Sequence, residues 1–144
     1  MSHDIYQAID ELLTLQQELY DKSARIFLFI DIPPVDRSPA YRGYRGRDHP
    51  TKMVLWNIEL QHRIRTFAAE KKAAGYPITV LYFSSHKVIA SILDDPEAYG
   101  FPKEDIKKDG GAIWVDQLHP TSAVHAVLAK ELDLMLKATR PMSS

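Results

Sequence analysis

Cysteine is absent from the 144 residues, which excludes a disulfide framework, a thiolate zinc site and a cysteine nucleophile. Its absence does not fix a compartment, because a large enough core needs no disulfides. Charge of one sign is lacking too. Eighteen Lys and Arg stand against nineteen Asp and Glu, a net charge of −1. The basic excess that drives binding to nucleic acid is missing, so no nucleic-acid partner is expected. No apolar run approaches the ~20 residues that span a bilayer, so no membrane partner is expected either. The first residues, Met-Ser-His-Asp-Ile-Tyr, have neither a basic n-region nor an apolar h-region, and no signal peptide is expected. What is present is 45% apolar and 26% charged, the composition of a globular chain of one domain's length.

Ile5, Ile9, Leu12, Leu13, Leu19 and Tyr20 recur at helical spacing and predict an amphipathic helix over Asp4 to Asp21. Arg25 to Asp31 is a short β-branched and aromatic run that stops at Pro33-Pro34; such a run predicts a parallel strand buried on both faces. Pro33 to Pro50 then forms a long loop, unusual without structure of its own and often functional. From Thr51, the stripe Met53, Trp56, Leu60, Ile64, Phe67 predicts a helix ending at Lys71-Lys72 and Gly75. A stripe of this kind is core packing rather than a cofactor box. Ile78 to Phe83 reads as a second strand, which completes a βαβ unit. Ser85 to Leu93 predicts a short helix, Ala112 to Val115 a short apolar run, and Val124 to Leu136 a final helix. The fold class is therefore α/β, two to three parallel strands flanked by helices.

The chemistry sits in Trp114-Val115-Asp116-Gln117-Leu118-His119-Pro120-Thr121-Ser122-Ala123-Val124-His125. A carboxylate and an imidazole three residues apart in a tight turn can face each other, because such turns bring the Cα atoms within ~7 Å. An Asp that accepts the Nδ1 proton leaves Nε2 bare and basic, the orienting role of the acid in a catalytic triad. Pro120 favours the first turn of the helix that follows. The same residues have a plainer reading, in which Asp116 or Thr121 caps that helix and His119 is an ordinary loop residue.

This block, with Leu128-Ala129 after it, closely resembles the last motif of the SGNH (GDSL) hydrolase superfamily, most of all its carbohydrate acetylesterase branch. Phe27 to Pro39, Trp56-Asn57 with Leu60, and Ile92 to Phe101 resemble further stretches of that branch in the same order. The resemblance covers only the carboxyl-terminal half of the family's domain, to which it assigns residues 1–144. It implies a partial flavodoxin-like three-layer fold, a serine-dependent ester hydrolase and an acetylated carbohydrate or small ester as substrate. Asp116 and His119 carry over as acid and base. Members of the branch are mostly secreted; a product that started at Met1 would stay inside the cell.

The family's Gly-Asp-Ser block occurs nowhere in these residues, and the one asparagine, Asn57, lies in a helical stripe. No residue carries over as nucleophile or oxyanion donor. Such a chain is expected to be inactive alone on acetyl esters, a truncated form or pseudoenzyme. The alternative is a non-catalytic α/β binding or interaction module. By the same resemblance the strand Arg25 to Asp31 lacks one of its two neighbours. That implies marginal stability, self-association, or docking onto a separately encoded amino-terminal half.

Other features have plainer readings. Ser84 and Ser85 are expected to cap the helix after the second strand, and Ser38 is a turn residue. Tyr41 to Arg47 mixes basic and aromatic residues and is expected on the same sheet edge as Asp116 and His119. His125 lies six positions after His119, not a same-face spacing. His49, His62 and His86 form no ligand pattern. No metal and no cofactor is expected.

Overall fold

The computed structural model describes residues 3–41 and 49–139, with the side chains of 5–41 and 52–139. Four helices and two strands follow in the order α1 (His3–Asp21), β1 (Ile26–Ile30), α2 (His49–Ala73), β2 (Thr79–Phe83), α3 (Ser85–Asp94) and α4 (Ser122–Ala138). β1 and β2 are parallel neighbours in a two-stranded sheet. The architecture is the partial α/β fold that the periodicities predict. No described helix is long and apolar enough to cross a membrane.

The chain forms two compact units, 1–31 with 47–82, and 32–46 with 83–144. In the first, Ile9 of α1 and Leu60 and Ile64 of α2 are buried together, with Ile5, Leu12, Leu13, Phe29, Trp56, Val80 and Tyr82 packed around them. α1 stops where Ser23 turns left-handed at φ 79°; the Ser23 and Ala24 amides close onto Tyr20 and Leu19 carbonyls at 3.0 and 2.9 Å. The Arg25 guanidinium lies 4.0 Å from the Tyr20 ring and donates to the Tyr20 carbonyl at 2.6 Å, fixing the entry to β1.

One expectation for β1 is overturned. The run is not buried on both faces. Phe27 and Phe29 face the helices, while Ile26, Leu28 and Ile30 are 72%, 40% and 52% exposed. Side chains alternate along a strand, and α1 and α2 share one cluster with the Phe29 side. That leaves the opposite face open among the described residues.

In the second unit Ser84 caps α3, its hydroxyl accepting from the Lys87 amide at 3.1 Å. Ile89, Ile92 and Leu93 of α3 pack with Phe101, Ile113, Trp114 and Val124 of α4 in one buried cluster. The segment after Pro33 is not structureless: it makes 3-10 turns at Val35–Arg37 and Pro39–Tyr41. Most of the Tyr41 to Arg47 motif falls at 42–47, outside the described residues. Ala112 to Val115 does not join the sheet; Trp114 instead pairs with Pro120 in an isolated antiparallel bridge.

Candidate active site

Asp116 and His119 lie in the loop that this bridge closes. The Val115 amide donates to the His119 carbonyl at 2.8 Å, and the Thr121 amide to the Ile113 carbonyl at 2.9 Å. Two side chains fasten the base of the loop. Thr121 Oγ1 donates to the Ala112 carbonyl at 2.7 Å, and buried Trp114 donates from Nε1 to the Ile106 carbonyl at 2.9 Å. Thr121 also caps α4, accepting from the Val124 amide at 3.4 Å. Because Thr121 is the cap, Asp116 is free for His119.

Asp116 is held from three sides. Its Oδ1 accepts from the Leu118 and His119 amides, each at 2.7 Å, and its Oδ2 lies 2.8 Å from His119 Nδ1. The backbone amides of His119 and Leu118, and then the His119 ring, pull the Asp116 carboxyl down to about 2. At neutral pH it is therefore an anion that can only accept. The 2.8 Å contact then requires the proton on Nδ1, which leaves the Nε2 lone pair bare in the neutral ring. The ring is open to approach, with 73% of its side chain exposed. Among the described residues no serine or threonine hydroxyl bonds it; its ring partner is Asp116. The loop thus presents an oriented proton acceptor, with the orienting carboxylate built into the same turn.

The segment after β1 reaches this loop, as its place in the chain predicts. The Ala40 amide donates to the Gln117 carbonyl at 2.8 Å. Arg37 anchors the segment to α3, 2.7 Å from Asp94, and Lys107 Nζ donates to the Ser38 carbonyl at 3.1 Å. Sequence reasoning missed Lys107 and Asp105. Buried Asp105 accepts from the Ala112 amide at 2.6 Å, and that bond, with Lys108, lowers its pKa. A Cβ on Gly111 would stand 2.8 Å from Asp105 Oδ2. The Gly110-Gly111 pair was the signal for this close approach. His62, His86 and His125 lie in α2, α3 and α4, apart in the sequence from the Asp116–His119 loop.

No family model matches the chain. A curated relative, an acetylesterase of Thermothelomyces thermophilus, is 26% identical over 120 residues, which cover 79% of this chain and 38% of that protein. The chain thus spans under two fifths of the length of the relative it matches. This is a distant likeness to an ester hydrolase.

Proposed function

We propose that the chain carries the general-base portion of an SGNH-type ester hydrolase acting on acetylated carbohydrate, and that these residues alone do not turn over esters. The observation behind the reading is the Asp116 Oδ2 to His119 Nδ1 contact at 2.8 Å, with Asp116 anchored by two backbone amides. Likeness to an acetylesterase along most of the chain supports the same class.

In this chemistry His119 Nε2 takes the proton of a serine hydroxyl as its oxygen attacks the acetyl carbonyl. The protonated ring then gives that proton to the departing sugar oxygen, and a water activated by the same nitrogen releases acetate. Asp116 keeps the ring in register and stabilises its charged form. The serine and the donors that cradle the oxyanion come from residues beyond this sequence. Losing one such donor costs ~100- to 1,000-fold in rate, so the isolated chain keeps only background hydrolysis. A second reading, a non-catalytic α/β interaction module, draws on the His119 ring having no hydroxyl partner among the described residues.

A chimera separates the two. Placing this chain where the matching stretch of the acetylesterase stands should give acetyl-ester hydrolysis that His119→Ala abolishes. A folded chimera without activity would favour the interaction module. The isolated chain should show no nitrophenyl acetate turnover that a serine-directed phosphonate inhibits. Inhibitable turnover lost on His119→Ala would refute the claim that it lacks a nucleophile.

A further inference from the structure

The Asp116–His119 loop is gripped at one peptide by a distant part of the chain. The unit joining Gln117 to Leu118 is planar and trans, so its carbonyl and its amide point in opposite directions. The Leu118 amide donates to Asp116 Oδ1 at 2.7 Å. On the other side, the Gln117 carbonyl accepts from the Ala40 amide at 2.8 Å. Turning that peptide about its flanking bonds breaks both. Whatever fixes the Ala40 amide therefore also fixes one of the two amides that hold the carboxylate, and through it the 2.8 Å contact with His119 Nδ1.

The segment that carries Ala40 does not close all of its own hydrogen bonds. Its two 3-10 turns, Val35–Arg37 and Pro39–Tyr41, pair carbonyls with amides three residues on. Pro34 meets Arg37 at 2.9 Å, Val35 meets Ser38 at 2.9 Å, and Ser38 meets Tyr41 at 3.2 Å. Asp36 drops out of the series, because the amide its carbonyl would accept belongs to residue 39 and proline has none. Ala40, the amide that would close on Arg37, donates to Gln117 instead. Pro34, Ser38 and Pro39 are buried, which limits what water can supply to the segment.

Lys107 fills this gap. Its Nζ donates to the Ser38 carbonyl at 3.1 Å and reaches the Asp36 carbonyl at 3.5 Å; an ammonium has three donors and can serve both. Lys103 and Lys108 of the same stretch behave differently, pairing with Glu97 and Asp105 while 65% and 57% exposed, whereas Lys107 is half-buried. Arg37 pins the start of the segment to Asp94 of α3, and Lys107 pins the carbonyls that lead up to Ala40. All of these residues belong to one compact unit. We propose that Lys107 is a positioning residue of the acid–base pair. It sets the Ala40 amide, which sets the Gln117–Leu118 peptide, which aims the Asp116 carboxylate at His119. The proposal rests on the reading of His119 as the base.

Lys107→Met keeps most of the stem and removes the ammonium, and NMR of the whole chain reads the result. The scalar coupling across the Ala40–Gln117 hydrogen bond should vanish, and the Leu118 amide should exchange at least about tenfold faster. The share of the His119 ring protonated on Nδ1 should fall. The Thr121–Ile113 bond at the base of the same loop should keep its coupling. Lys107→Arg restores donors and should recover much of all three readings. Lys103→Met removes a charge from the same stretch and should leave them unchanged. A His119 ring without an Nδ1 preference in the unsubstituted chain would overturn the base reading and this proposal together. An oriented ring that ignores Lys107→Met would overturn this proposal alone. So would an equal effect of Lys103→Met, which reduces Lys107 to its charge, or joint loss of the Thr121–Ile113 coupling, which makes it an ordinary structural residue.

Discussion

The two compact units use their apolar residues differently. Seven side chains are buried in the α3–α4 cluster, although Val115 and Leu118 of the candidate loop stay 60% and 40% exposed. The unit of α1 and α2 buries three together in its cluster and leaves Leu15, Leu19, Ile26, Leu28 and Ile30 in the open. Polar groups show the same contrast. Asp116 Oδ1 and Oδ2 are satisfied within three residues, while the Gln16 amide is buried without a partner. A short loop can complete its own hydrogen bonds. A parallel sheet cannot, because both its faces and both its edges need cover from elsewhere. The acid–base pair is therefore complete in a chain whose described sheet has two strands and an open face.

Core substitutions should sharpen this contrast most. Trp114→Ala removes a buried ring and the bond to the Ile106 carbonyl, and should cost about 3–5 kcal/mol in denaturant unfolding. Leu28→Ala on the open face should change stability by no more than about 0.5 kcal/mol. Equal losses at both positions would erase the difference between the units. Gly111→Ala drives a methyl group against the Asp105 carboxylate and should cost about 1–3 kcal/mol. If the Asp105–Ala112 bond breaks as a result, the Ala112 amide should lose its protection from hydrogen exchange. Thr121→Ala removes both the α4 cap and the Ala112 tether, for about 1–2 kcal/mol; Thr121→Ser should recover most of it.

The smallest expected effect is a pH dependence. Asp116 has its folded-state pKa pulled down to about 2, against an ordinary ~3.9. Its contribution to the loop is then complete above the ordinary value and is lost as pH falls towards 2. Carboxyl-resolved NMR titration should place the Asp116 midpoint well below the ordinary aspartate value. A midpoint near 4 would mean that the two amide bonds do not form in solution.

The helices and both strands were legible because their apolar spacing is local. The Ile9, Leu60 and Ile64 stripe positions are buried, and Ser84 caps α3 as its place before an apolar period implies. The open face of β1 was not legible. Five consecutive apolar residues look the same whether a sheet is covered on both faces or awaits cover. The Asp116–His119 spacing was visible in the sequence. What decided its geometry was the competition for the helix cap, which Thr121 takes, and the fastening by Trp114 and Thr121. The role of Asp105 was hard to read because its partner is a backbone amide seven residues on; the one mark in the residue types is the glycine at 111, where a Cβ would meet its carboxylate.

The most direct measurement is the tautomer of His119, read from long-range nitrogen–proton couplings of the ring at a pH where it is neutral. The proton should sit on Nδ1, with Nε2 bare, and Asp116→Ala should release that preference while the other histidines stay unchanged. A ring protonated on Nε2, or one whose tautomer ignores Asp116→Ala, would contradict the existence of an oriented base in this loop.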